Sequence, residues 1–334
     1  MKRKGQLYHE IAETENLKLA FWKASRGKRG HEGVLLFREN LDANINLMRG
    51  QLLAEKPDIG HYHFFKVYDP KERLICAASF PERVLHHAIM NICEPIFERY
   101  AIFDNYACRT DKGNRKAIAR CQYFSRLFKW YLKLDIRQYF ASIDHVKLLG
   151  ILERLVKDRR LLDLFASILA TYNSGTPGRG LPIGNLVSQH LANLYLGKLD
   201  HWIRETLKIT GYLRYMDDFV LFSNDRQRLQ DGLSAAGTFL GGQLSLALKE
   251  NIQLNRGVFG IPFLGFRVFP SRILLSPSGG RRFARKYRQY MEKYEEGEWN
   301  EATLSRHLEP LVDFTRIADS IGLRRKIIHG NSST

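Results

Sequence analysis

Two adjacent carboxylates, Asp217 and Asp218, lie between the apolar runs Gly211-Tyr212-Leu213-Arg214-Tyr215 and Phe219-Val220-Leu221-Phe222. Runs of strand length, rich in aromatic and β-branched residues and joined at a short polar point, predict a hairpin with both carboxylates at its tip. An uncompensated carboxylate among apolar side chains is costly, so a cation belongs beside it, and a metal ion is the simplest. The plain alternative is an acidic turn, because Asp is a common turn residue. A third carboxylate, Asp135, ends the run Trp130-Tyr131-Leu132-Lys133-Leu134, and only a folded sheet could bring it to the other two.

Other segments supply positive charge. His63 to Tyr68 and Arg73 to Phe80 are strand-like and flank Asp69-Pro70-Lys71-Glu72, a hairpin turn, so that Lys71 and Arg73 project from one strand face where they suit a triphosphate. Basic, glycine-containing loops occur at Arg26 to Gly30, with Lys28 and Arg29, and at Ala107 to Lys116, with Arg109, Lys112 and Arg115. A basic helix starts near Arg281, Arg282 and Arg285. Such loops can follow a phosphate backbone, although solvated loops share the composition.

The elements that must position these groups follow from periodicity. Residues 8–25 and 37–53 predict helices. Residues 81–100 predict a third, opened by Pro81, whose adjacent His86 and His87 point about 100° apart and read as core residues and not as one chelate. The glycine-rich loop 175–184 leads into a helix over 185–196, and a further helix is expected over 225–246.

Bulk properties narrow the function. The 334 residues carry 52 Lys plus Arg against 35 Asp plus Glu, a net +17, which favours a polyanionic partner, nucleic acid first. Cys76, Cys93, Cys108 and Cys121 are too far apart for a zinc knuckle and read as reduced thiols of a cytoplasmic protein. No apolar stretch is long enough to span a membrane or serve as a signal peptide.

Joining a 3′-hydroxyl to a nucleotide needs mainly a clamp on the attacking and leaving oxygens, which two Mg²⁺ ions on converging aspartates supply. Asp135, Asp217 and Asp218 meet that need, Lys71 and Arg73 would neutralise the triphosphate, and Mn²⁺ could replace Mg²⁺. The ordered series Lys71-x-Arg73, Asp135 with Tyr139-Phe140, Leu181-Pro182-Ile183-Gly184, Tyr215-Met216-Asp217-Asp218, Lys249 and Phe263-Leu264-Gly265-Phe266 resembles the motif series of reverse transcriptases. Ile183-Gly184-Asn185-Leu186-Val187-Ser188-Gln189 is similar to the I-G-N-x-x-S-Q signature of reverse transcriptases from diversity-generating retroelements. Glu15-Asn16-Leu17, Gly27-Lys28-Arg29 and Arg83 to Ala88 resemble that group too.

The resemblance implies an α+β right-hand polymerase. Its N-terminal extension and fingers would occupy 1–128, its palm 129–270 with part of the fingers in 146–180, and its helical thumb 271–334. It implies that Asp135, Asp217 and Asp218 are catalytic and metal-binding, with Ile136 in the metal set. Phe140 is the expected gate against the ribose 2′-hydroxyl. Ile183, Gly184 and Gln189 are expected to border the nucleotide, and Lys249 to be a proton donor to pyrophosphate. The expected activity is error-prone copying of a template-repeat RNA into cDNA mutagenised at adenines, from dNTPs and a primer, with a small basic helical accessory protein. The alternatives are a group II intron or retron type enzyme and an inactive RNA-binding scaffold. The short stretch after Phe266 argues against room for a maturase and endonuclease region.

Overall fold

The computed structural model describes residues 5–68 and 72–329. In chain order the helices and strands are α1 (Leu7–Ala12), α2 (Thr14–Ser25), α3 (Glu32–Glu39), α4 (Leu41–Leu53), β1 (Tyr62–Tyr68), β2 (Glu72–Ala78), α5 (Phe80–Tyr100), α6 (Asn114–Leu127), β3 (Trp130–Asp135), α7 (Tyr139–Ser142), α8 (His145–Glu153), α9 (Arg159–Ala170), α10 (Leu186–Tyr195), α11 (Gly197–His201), β4 (Gly211–Tyr215), β5 (Asp218–Ser223), α12 (Arg226–Leu244), β6 (Gln253–Arg256), β7 (Ile261–Phe263), β8 (Phe266–Val268), β9 (Ile273–Leu275), α13 (Pro277–Glu295), α14 (Glu301–Thr315) and α15 (Ile321–His329). This is the expected α+β architecture with antiparallel pairing. No helix among the described residues is long and apolar enough to cross a membrane. The four cysteines are unbridged.

The chain divides into two compact units. The first takes residues up to Phe103, Asp135–Leu207 and Ala235–Glu250. Its helical part is built on α5, whose Ser79 cap accepts from the Glu82 amide and whose Pro81 sits where no intrahelical donor is needed. Buried Val84, Leu85, Ala88 and Ile89 present one apolar stripe, and Phe21, Phe37 and Phe80 join in a ring cluster with centroids 5.5–6.0 Å apart. The expected helix over 8–25 is two helices, because Glu13 is extended at φ −62, ψ 134; the one over 37–53 extends back to Glu32 and breaks at Asn40.

The β1–β2 hairpin stands as its own two-stranded sheet, in register from Tyr62↔Ala78 to Tyr68↔Glu72. Along β1 six of the seven residues are exposed, so packing holds little of it. Its base is tied instead by hydrogen bonds. The Cys76 amide donates to the Ile183 carbonyl at 2.8 Å, the Ala78 amide to Asn185 Oδ1 at 3.1 Å, and Glu82 Oε2 accepts from the Gly60 and His61 amides.

The second unit takes Asp104–Leu134, Lys208–Ser234 and Asn251 onward. Its four-stranded sheet has the order β4-β5-β3-β6, and β7-β8-β9 form a second antiparallel sheet. Ile118, Cys121 and Phe124 of α6 pack with Leu213, Val220 and Phe222 of the first sheet and Phe263, Phe266 and Val268 of the second in one core. Leu264 and Gly265, both at positive φ (49° and 85°), make the two-residue link between β7 and β8 that matches strand twist.

Glu82 and His86, one turn apart on α5, are both essentially inaccessible, with Nε2 and Oε1 3.7 Å apart. That spacing would suit an ion pair, yet burial raises the Glu82 carboxyl and lowers the His86 ring to about 3, so His86 is neutral in the fold and no ion pair forms. Below the ordinary imidazole value of 6.5 the unfolded chain takes up a proton that folded His86 refuses. The His86 contribution is therefore complete above pH 6.5 and lost as pH falls toward 3. His86→Leu should flatten this, losing about 2–3 kcal/mol less than the parent between pH 7 and about pH 4.5 in urea unfolding. An equal loss in both chains would locate the acid sensitivity elsewhere. Gly184 has φ +118, and a Cβ there would lie 2.8 Å from Ile75 Cγ2 and 3.1 Å from the Cys76 carbonyl oxygen. Gly184→Ala should cost about 1–3 kcal/mol of stability, measured in the same way, because strain and collision act together.

Candidate active site

The Tyr215↔Asp218 pairing leaves Met216 and Asp217 as a two-residue turn, with Met216 left-handed at φ 53. Behind the turn, Tyr212, Leu213 and Phe219 to Phe222 are buried, so the strands are anchored while Asp217 and Asp218 remain half-buried. Lys133 Nζ lies 3.0 Å from Asp218 Oδ2, with side chains only 18% and 21% exposed. Lys133 shares a strand face with Asp135 by the two-residue alternation of β3, a signal available in the sequence and missed there. Arg214, also missed, is wholly inaccessible and donates from Nη1 to the Met216 carbonyl at 3.0 Å.

Asp135 closes β3 and begins the second segment of the first unit. Residues 247–249 run antiparallel beside it, with Arg137 N donating to Ala247 O, Ile136 bridged to Leu248, and Lys249 N donating to Asp135 O at 2.8 Å. This places Lys249 Nζ 2.6 Å from Asp135 Oδ2, so the lysine expected to serve pyrophosphate stands on a carboxylate. Asp135 Oδ1 is buried without a hydrogen-bond partner. The Ile136 side chain is fully buried, which leaves its carbonyl oxygen as the one atom it could offer a metal.

Among the described residues no three His, Cys, Asp or Glu side chains group closely enough to hold a metal ion. The donor chemistry nonetheless fits a hard cation. The groups are carboxylate oxygens, Asp135 Oδ1 among them buried and unsatisfied, and positive charge already stands against Asp135 and Asp218.

Of the expected nucleotide contacts, Lys71 lies outside the described residues. Arg73 is exposed on β2 opposite Val67. Phe140 is half-buried in α7, edge-on to Tyr139, and its carbonyl accepts from the Leu181 amide at 2.8 Å. Main-chain bonds thus connect the strand of Arg73, the Ile183-Gly184 turn and the helix of Phe140 within one unit. Gln189 is half-buried on α10. Asn185, missed as a positioning group, is buried and holds β2 through Ala78.

Among the basic residues, Lys28, Arg29, Arg115, Arg281, Arg282 and Arg285 are exposed. Arg109 and Lys112 turn onto their own loop, Arg109 donating to Asn105 O at 2.8 Å and Lys112 lying 5.0 Å from the Tyr106 ring centre.

Residues 60–254 match the reverse transcriptase (RNA-dependent DNA polymerase) family. The chain is 27% identical over 128 residues to the putative COX1/OXI3 intron 2 protein of Saccharomyces cerevisiae, covering 36% of this chain and 15% of that protein. It is 26% identical over 138 residues to the group II intron-encoded protein LtrA of Lactococcus lactis subsp. cremoris, covering 40% and 23%. With protein YkfC of Escherichia coli it shares 22% identity over 298 residues, covering 73% and 76%. It therefore spans less than a quarter of the length of the first two relatives. With its motif segments matched along more than half its length, the chain belongs to the reverse transcriptase (RNA-dependent DNA polymerase) family and has the α+β fold of the right-hand polymerases.

Proposed function

We propose that this chain is an RNA-directed DNA polymerase of the diversity-generating kind, copying a template RNA into cDNA with errors opposite adenine. The observation that carries the polymerase reading is the presence, in a chain of this family, of Asp135 at a strand end and Asp217-Asp218 at a hairpin turn, with lysines set against Asp135 and Asp218. Asp135 and Asp217 would hold the metals, Asp218 and the Ile136 carbonyl supporting them. Held by these groups, Mg²⁺ would supply the positive charge that stabilises the attacking and leaving oxygens of nucleotidyl transfer.

The chain's own groups do the rest. Arg73, with Lys71, meets the triphosphate, and Phe140 closes the space a 2′-hydroxyl would need. Ile183 and Gly184 border the new base pair, with Gln189 behind them. Lys249 balances Asp135 until the site is loaded. The exposed cations Lys28, Arg29, Arg115, Arg281, Arg282 and Arg285 hold template and primer by phosphate contacts that carry no sequence information.

The diversity-generating assignment rests on Ile183 to Gln189, and a small basic accessory protein is part of it. The intron-encoded relatives favour a second reading, a group II intron type enzyme that copies with no bias against adenine. The template is the discriminating partner, so sequencing the RNA that copurifies, and the cDNA made from it, separates the two.

Asp217→Asn should lower primer extension on RNA by more than the roughly hundredfold typical of losing an outer metal-site partner. Extension at the full rate would refute the catalytic assignment. Ile183→Gln should reduce misincorporation opposite template adenine roughly tenfold, read by sequencing cDNA from a defined template. An unchanged error spectrum would remove Ile183 from the base pocket.

A further inference from the structure

A fully buried guanidinium three residues before Asp217 requires an explanation, because arginine is rarely buried without acceptors that use its charge and shape. The main chain of Arg214 is fixed on both sides. On one it pairs with Phe219 of β5, and on the other it forms a parallel bridge to Asn105, with Arg214 N donating to Asp104 O (2.9 Å) and Tyr106 N to Arg214 O (3.0 Å). Asp104 is itself held by Arg120 at 2.8 and 3.0 Å and by the Tyr106 hydroxyl. From this fixed base the Arg214 side chain reaches forward to the Met216 carbonyl.

The Met216 carbonyl belongs to the peptide plane that leads into Asp217, and Met216 is held left-handed, a conformation that persists only when its surroundings impose it. A rigid, planar donor on that oxygen fixes the peptide plane, and with it the direction in which the Asp217 side chain leaves the turn. It also places positive charge behind two adjacent carboxylates. We propose that Arg214 is a positioning residue that presets Asp217 as a metal ligand, an inference resting on the metal-dependent reading of the site.

The test uses the full chain and two variants, Arg214→Met, which removes donor and charge, and Arg214→Lys, which keeps the charge and loses the fork. Mn²⁺ binding is titrated by electron paramagnetic resonance without nucleotide or nucleic acid, with Asp217→Asn marking the signal due to this site. Primer extension is then measured with the active fraction counted from the burst amplitude.

For Arg214→Met we expect a Mn²⁺ dissociation constant and a kcat per active molecule each worse by about 10–100-fold, with the KM for dNTP within about threefold of the parent. Arg214→Lys should recover part of both losses. A purely architectural arginine would lower the burst amplitude and leave Mn²⁺ affinity per folded molecule unchanged, and that result overturns the proposal. Should Arg214→Met not fold, Arg214→Lys decides, since parental Mn²⁺ affinity in it is equally contrary. A parent chain that binds Mn²⁺ through Asp217 and makes no cDNA would refute the polymerase reading and leave this inference standing. A parent that binds no Mn²⁺ refutes the inference outright.

Discussion

Carboxylates at the ends of apolar strands must be met by positive charge, and each of the two units meets that requirement by itself. Asp135 and Asp218 carry it in the form of Lys249 and Lys133. These pairs hold the acids without binding them strongly. With Lys249 and Asp135 41% and 31% exposed, their attraction is worth about 0–1 kcal/mol, far below the cost of leaving either acid bare in a dry interior. A divalent ion can therefore replace an ammonium here without dismantling the fold. Asp135 Oδ1, which no described group satisfies, gives such an ion an additional reason to bind.

Positioning elsewhere in the first unit is done by main chain more than by side-chain packing. Cys76 bonds to Ile183, Leu181 to Phe140, and Ala247 and Lys249 to the residues around Asp135, each a backbone bond between segments distant in sequence. Such bonds tolerate change in side-chain identity, so the side chain of Ile183 can vary while its carbonyl keeps the strand in place. Gly184 is the exception, since both its left-handed backbone and its closeness to Ile75 and Cys76 forbid a Cβ.

The parts legible in the sequence were those with local signatures. The aromatic and β-branched runs around Asp217-Asp218 forecast a hairpin that is present as β4 and β5, and Pro81 marked the first turn of α5 within one residue. His86 proved a core residue, as the helical spacing implied. The breaks at Glu13 and Asn40 could not be read, because neither residue is a glycine or proline and the apolar period continues across both. Where Lys249 stands could not be read for a different reason. Its place depends on a non-local alignment, Leu248 against Ile136, that leaves no periodic trace in a short irregular segment. Arg214 was passed over because one charge inside an apolar strand looks like noise until its acceptor is known.

The β1–β2 hairpin behaves mechanically as a cantilever. Among the described residues, the bonds from Cys76 to Ile183, Ala78 to Asn185 and Tyr62 to Thr171 grip the end nearest α5, while Arg73 stands three residues beyond Cys76, a reach of ~10 Å for extended chain. A small tilt at the fixed end is therefore magnified at the arginine. Residues far from Arg73 in sequence thus fix the base of the strand that carries it, and the Ile183-Gly184 turn is one of them. One main-chain bond, Cys76 N to Ile183 O, therefore couples the strand of Arg73 to the turn at Gly184.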